Sequence, residues 1–453
     1  MPKLFDEFDA VSAKAWKQKI QADLKGADYN ETLVWNSPEG IAVKPFYHSE
    51  DLDQKSPSNY THCSQFKIGK TIIVEEAKRS NTLAKSAIKD GIDSLHFIVT
   101  SETTDVNDII KDINLSEIDT HFTFEFLSSK YVKAIAQLPF AKDLNLHIDI
   151  LGHLSASGNW YKNLQNDHEE LERIISFSNT FKSVIHVNTN LYQNAGATMV
   201  QQLAYGLAQA NEYLNHFGDK LAQPISFNVA IGSNYFFEIA KLRALRLLWK
   251  TVAAEYKVPM TCRILATPSK RNKTIYDYNT NMLRTTTECM SAILGGADVI
   301  NNMPYDALYH KENDFGTRIA KNQLLILKHE CYFDAVNNPS DGSYYIENLT
   351  DDLAQKALDL FKDIENNGGF LKQLKDGTIQ RKIKESAAKE EERFIAGNEI
   401  LLGTNMHPNP NDKMKDELEV YPFLKTNKRK TLIEPIIPKR LAEKTEIERL
   451  KTE

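Results

Sequence analysis

Cysteine is scarce in this chain, four in 453 residues, and none of Cys63, Cys262, Cys289 and Cys331 forms a Cys-x-x-Cys pair or stands at ligand spacing from a histidine. That excludes a disulfide framework and a zinc-finger type of site, and it is the pattern of a reduced compartment. A basic excess is lacking as well. The 55 Lys and Arg are outnumbered by 61 Asp and Glu, a formal net charge of −6, which argues against a nucleic-acid surface. No run approaches the roughly eighteen apolar residues of a membrane span, and Met1 to Ala15 carries acidic residues and no apolar core of the signal-peptide kind, so a cytoplasmic protein is expected. There is no Gly-x-Ser-x-Gly elbow and no His-Glu-x-x-His helix, so neither a serine hydrolase nor a zincin has its signature here.

What is present is a large apolar supply, 42% of residues, arranged in a regular alternation. Its clearest unit runs from Arg263 to Asp306. An extended Arg263-Ile264-Leu265-Ala266 breaks at Pro268, and a helix over about Asn281 to Leu294 places Met282, Thr285, Thr286, Cys289 and Ile293 on one face. Gly295-Gly296 stops it, and Asp298-Val299-Ile300 starts the next extended run, closed by Pro304. This is one βαβ step of a parallel sheet. Strand-like runs recur at 94–99, 121–127, 144–151, 183–189, 225–231, 260–265, 298–303 and 343–346. Helical stretches lie between them at 106–113, 129–138, 168–179, 198–217, 235–256, 281–294 and 316–332, with an eighth at 351–365. Eight strands each followed by a helix predict an α/β fold, a closed (β/α)8 barrel of the TIM type.

The expected division is an amino-terminal helix and arm over 1–80, the barrel over 81–370, and a carboxyl-terminal helical segment with a partly disordered tail over 371–453. The arm holds an amphipathic helix with Trp16, Ile20 and Leu24 four apart, then an extended stretch through Ser37-Pro38-Glu39-Gly40 to Phe46-Tyr47. With Trp35, Phe46 and Tyr47 it must lie on something, either its own barrel or a partner subunit.

Catalytic groups of such a barrel sit at the carboxyl ends of its strands. Those ends offer Asp149 and His153, then His186, Asn188 and Asn190, then Asn228 and Ser233, Thr267 and Ser269, and finally Asn301, Asn302, Tyr305 and Asp306. Asp149, His153 and His186 together have the ligand chemistry of a zinc or iron site, although no spacing supports one and ordinary mouth residues are the plainer reading. Gly69-Lys70-Thr71 resembles the end of a phosphate loop, but Ser64 replaces the first glycine and a turn or strand start is expected. Lys241, Arg243, Arg246 and Lys250 give the helix over 235–256 a basic side, read as a solvated face.

Four segments resemble one family. Ser37-Pro38-Glu39-Gly40-Ile41 with Val43-Lys44-Pro45 resembles the amino-terminal arm of the adenosylcobalamin-dependent acyl-CoA mutases. Tyr235 to Ala244, Asn281 to Glu288 running on to Asp298, and Gly342 to Thr350 match three further segments in the family's order. The resemblance covers about Trp16 to Thr404 and implies methylmalonyl-CoA mutase, a barrel that houses a CoA ester beside a flavodoxin-like cobalamin domain. It also implies departures. The cobalt-ligating Asp-x-His-x-x-Gly is absent and too little chain follows Gly369 for that domain. Where the family's catalytic barrels read Tyr-His-x-x-Glu-Ala-Gly this chain reads Asn190-Leu191-Tyr192-Gln193-Asn194-Ala195-Gly196, so Leu191 stands at the histidine's place, and the early Tyr-Ala-Gly-Phe is missing near Phe66-Lys67-Ile68-Gly69. Leucine can neither move a proton nor polarise a thioester carbonyl.

By resemblance this is therefore expected to be the small, non-catalytic subunit of a heterodimer, with no catalytic, cofactor-binding or metal residues of its own. Adenosylcobalamin would reside on the large catalytic subunit, which the arm would wrap. A substrate-binding barrel served by a separate cobalamin subunit, and a metal-dependent lyase or aldolase, stay open as alternatives. Bulky alternating residues, Phe122, Phe124 and Phe126 and then Phe227, Val229 and Ile231, are expected to stopper the barrel if they face its axis.

Overall fold

The structure, a computed structural model, describes residues 7–52, 63–424 and 429–453. Eight parallel strands close on themselves in sequence order: β1 (Lys67–Val74), β2 (Ser94–Val99), β3 (Asp119–Phe124), β4 (Leu144–Ile148), β5 (Ser183–Asn188), β6 (Ser226–Ile231), β7 (Arg263–Pro268) and β8 (Val299–Asn301). β8 pairs with β1, Asn301 opposite Gly69, which seals the cylinder. The (β/α)8 barrel is the expected architecture.

Two strand assignments differ from expectation. The first barrel strand is Lys67–Val74, inside the span expected to be arm, and Gly69-Lys70-Thr71 lies within it. The run 343–346 is not a strand but the opening of a 23-residue helix, Tyr344–Asn366, in which Ile346, Leu349, Leu353 and Ala357 are buried at three- and four-residue steps. Among the helices, α1 (Ala13–Asp23) buries nothing. α2 (Ser129–Ala136), α3 (Ile150–Ser157), α4 (Asn190–Asn194), α5 (Met199–Phe217), α6 (Tyr235–Tyr256), α7 (Thr280–Leu294), α8 (Asp314–His329), α9 (Tyr344–Asn366), α10 (Thr378–Ile395) and α11 (Glu443–Thr452) complete the set used below. Among the described residues no helix is long and apolar enough to cross a membrane.

The arm lies on this chain's own barrel. The Trp35 ring meets Phe237 edge-on at 5.7 Å and Tyr47 packs on Tyr345 at 5.4 Å. Glu39 accepts from the Met199 and Val200 amides, both at 2.9 Å, so the turn that carries it caps α5, where unpaired N–H groups favour an anion. Of the tail, expected to be partly disordered, residues 425–428 lie outside those described. The rest crosses the barrel's carboxyl-terminal side, Ile436 N donating to Ser155 O at 2.8 Å, Lys439 N to Asn194 O at 2.9 Å and Leu441 N to Arg271 O at 2.8 Å. Ile433, Ile436 and Leu441 are buried there, and α11 follows with Glu446 held by the Ile275 amide and by Arg440.

Candidate functional site: the barrel lumen and its mouth

Strand residues alternate between the lumen and the helices, and one contact fixes which is which. Arg263 on β7 forms an ion pair with Asp119 on β3. These strands stand four apart in a ring of eight, so the pair spans the interior. Cross-strand partners share a face, and the registers Ser94↔Asp119, His96↔His121, Thr123↔His147, Asn188↔Asn228 and Ser226↔Arg263 carry the assignment around the ring. The lumen is polar. The stoppering rings expected there face outward: Phe124 lies edge-on against Tyr131 of α2 at 5.4 Å, Phe227 against Trp249 of α6 at 5.7 Å, and Val229 and Ile231 share Phe227's face. Phe126 lies beyond the end of β3 and also packs on Tyr131.

Nor is the lumen sealed. The inward-facing Thr71, His96, Thr123, Asn188, Asn228 and Thr267 are half-buried, whereas their outward neighbours Ile72, Phe97, Phe122, Val187, Phe227 and Ala266 are at most 3% exposed. Ile73, at the carboxyl end of β1 and on the inward face, is 62% exposed, which marks the open mouth. Gly69 makes space within: a Cβ there would come 2.0 Å from Asn301 Oδ1.

Inside runs a chain of hydrogen bonds. At the floor, Asp119 holds Arg263 and accepts from Asn145 Nδ2 at 3.1 Å, and Asn145 Oδ1 accepts from Ser183. Above it, His121 Nε2 is 2.8 Å from Asp119 Oδ2, and His121 Nδ1 is 3.0 Å from His147 Nε2. The His147 ring stacks on His186 at 4.1 Å, and His96 bonds Thr123 at 2.8 Å. Burial costs the charged imidazolium its hydration. It lowers all four histidines, His96 and His186 down to about 3; neighbouring histidines add to the effect at His96, His147 and His186, whereas at His121 Asp119 opposes it and Arg263 adds to it. Asp119 is held well below the usual carboxylate range by His121 and Arg263, which outweigh the cost of its own burial.

The other expected site residues are scattered. Asp149 is not available as a ligand: its carboxylate accepts from Gly152 N, Gln209, Tyr213 and Asn188 N at 2.7–3.1 Å and caps α3. His153 lies flat on Tyr161 at 3.7 Å, away from that network, so Asp149, His153 and His186 form no common site. Among the described residues no three His, Cys, Asp or Glu side chains are placed to hold a metal ion. Ser269 bonds Asn194, Asn302 turns out to Ala320 and Gln323 of α8, and Asp306 receives Asn313 and His310. Ser233 is exposed beyond β6, Tyr305 packs near Tyr278, and Asn190 opens α4.

The basic side of α6 is not solvated, Lys250 excepted. Lys241 is 1% exposed and paired with Glu238 at 2.6 Å, Arg243 is fully buried on Glu347 and Asp341, and Arg246 pairs with Asp298 at 2.9 Å. Leu191, the second residue of α4, is 8% exposed and joins the apolar core around the barrel. Sequence reasoning missed the lumen histidines His96, His121 and His147 and their partners Asp119 and Arg263. Their period-two spacing along β3 and β4 is the signal that could have found them.

The family model for methylmalonyl-CoA mutase matches residues 98–447. This chain belongs to the methylmalonyl-CoA mutase family. It is 35% identical to a methylmalonyl-CoA mutase small subunit of Porphyromonas gingivalis, over 92% of this chain and 73% of that one. It is 37% identical to a small subunit of Streptomyces virginiae over 48% of this chain and 36% of that one, and 27% identical to a methylmalonyl-CoA mutase of Rhizobium meliloti over 90% and 65%. The chain thus spans a little under two thirds of the length of that last relative. Among solved structures, a dihydropteroate synthase from Thermus thermophilus aligns over 59% of this chain and 94% of that one, at 11% identity and a TM-score of 0.32.

Proposed function

We propose that this chain is the small, non-catalytic subunit of a two-subunit methylmalonyl-CoA mutase, stabilising a homologous large subunit that carries the chemistry and the adenosylcobalamin. The observation that carries the reading is Leu191. At the position where the resemblance puts the catalytic histidine, an apolar side chain sits in the core and has no proton to give. Cobalamin is assigned to the partner on the same reading. The four lumen imidazoles lie between strands, His121 bonded to Asp119 and His147, His96 bonded to Thr123 and His186 stacked on His147, which supports leaving the cofactor to the partner. No step is therefore routed through that cofactor on this chain.

Reconstitution tests the reading. The isolated chain should neither turn over methylmalonyl-CoA nor retain cobalamin on gel filtration, and mixing it with the large subunit of the same source should give an active, co-eluting pair. Turnover by the isolated chain would overturn the proposal. The solvent-reached, polar lumen favours a second reading, a substrate-binding barrel served by a separate cobalamin subunit. Protection of the isolated chain by a CoA ester against thermal unfolding would support it.

A further inference from the structure

Beside the mouth, a cleft of about 430 Å³ opens between the arm turn, α4, the start of α5, the loop after β6 and α10. None of the eight barrel strands lines it, so it is separate from the lumen. Trp35 and Pro38 face it from the arm, Gln193 from α4, Met199 from α5 and Lys389 from α10. A space of that volume holds a small organic molecule.

The charged side chains that line the cleft are paired off almost completely. Glu238 is matched by Lys241 at 2.6 Å, Arg271 by Glu390 at 2.5 Å, Lys382 by Glu385 at 3.0 Å and Arg393 by Glu399 at 3.6 Å. Only Glu39 and Lys389 form no ion pair among the described residues. Lys389 is exposed and solvated, whereas Glu39 is half-buried against the start of α5. Each Glu39 oxygen accepts one backbone amide, which leaves each a further lone pair. Burial pushes this carboxyl up against the pull of both amides, so its charge is only in part compensated.

A second lining group is also without a partner. The Gln193 carboxamide makes no hydrogen bond among the described residues, and its Oε1 is buried. Buried polar atoms rarely stay unpaired, because each leaves its desolvation cost uncompensated. A Cβ at Gly232 would come 2.8 Å from Gln193 Nε2, so that glycine is what leaves the carboxamide its seat. Glu39 and Gln193 Oε1 are both acceptors, and the Trp35 ring, 48% exposed, adds an aromatic surface that attracts cations. Among the described residues no three His, Cys, Asp or Glu side chains are placed for a metal ion, which turns the choice to an organic cation.

We propose that this cleft binds a small organic ammonium ion, its N–H groups donating to the Glu39 carboxylate and to Gln193 Oε1 and its carbon body lying along Trp35 and Pro38. This goes beyond the subunit assignment and does not depend on it, since arm and barrel of this one chain build the site.

The test titrates propylammonium chloride into the full chain by calorimetry at constant ionic strength, with propan-1-ol and sodium propionate as comparisons. The expected result is saturable binding of propylammonium alone. Glu39→Gln, which keeps an acceptor for α5 and removes the charge, should weaken it at least tenfold. Gln193→Met, which keeps the length of the side chain and removes its polar atoms, should weaken it at least threefold and gives a reading if the Glu39 variant does not fold. No saturable binding of propylammonium, equal binding of propan-1-ol or propionate, or an unchanged affinity in either variant that folds would each overturn the proposal.

Discussion

The two faces of the same eight strands differ as sharply as any two regions of the molecule. Outward, Phe97, Phe122, Val187 and Phe227 are fully buried against the helices and make a dry apolar layer. Inward, at the adjacent positions, stand His96, His121, His186 and Asn228, polar and only in part paired, His96 and Asn228 half-buried and His121 and His186 buried. The outer face holds the barrel together by burial, about 25 cal/mol for each Å² of apolar surface. The inner face contributes little of that kind and commits its polar groups to a network whose floor is one ion pair. Apolar packing and the polar network are thus assigned to alternate residues of one strand.

The comparison breaks hardest on the outer face. Phe122→Ala should cost about 3–5 kcal/mol in chemical denaturation, since a buried ring leaves a cavity between strand and helix. A loss under about 1 kcal/mol would mean that ring is not in the dry layer. On the inner face, Arg263→Ala strands Asp119, 3% exposed, and should cost about 3 kcal/mol. The double variant Asp119→Leu with Arg263→Met should recover most of that loss, because no charge is then left unpaired; a double variant no better than the single one would contradict the floor assignment.

Acid sharpens the contrast. The four inner histidines have pKa values pushed below the ordinary 6.5, so the unfolded chain takes up protons that the folded barrel refuses. Their contribution is complete above about pH 6.5 and is lost as the pH falls from there towards 3, the value reached by His186. The slope should be about 1.4 kcal/mol per pH unit for each such histidine. Replacing His186 with Gln should flatten the stability profile over that window, and an unchanged slope would rule this explanation out. The smallest effect belongs to the arm. Glu39→Ala removes the cap from α5 and should cost about 1 kcal/mol while exposing residues around 39–47 to limited proteolysis.

The barrel itself was legible, because alternating period-two and helical runs are a local property of the chain. Its seam was not. Gly69-Lys70-Thr71 reads as a turn or the start of a strand, and the full strand Lys67–Val74 is defined only because β8 and β2 lie on either side of it. Tyr344-Tyr345-Ile346 has the composition of a strand but starts a helix, since the apolar steps that follow are spaced for one. The basic side of α6 reads as solvated because its acidic partners Asp298, Asp341 and Glu347 lie 52 to 104 residues further on. Which strand face turns inward was out of reach for the same reason: Arg263 and Asp119 meet across 144 residues of sequence.

The tail's crossing of the mouth has a consequence for how the protein is made. Ser155 and its hydrogen-bond partner Ile436 are separated by most of the chain. At a synthesis rate of roughly 5–20 residues per second, the loop after β4 waits on the order of 15–55 seconds for that partner to emerge. During that interval the nascent barrel stands with its upper rim bare, and a ribosome-bound intermediate should be the form most readily captured by chaperones.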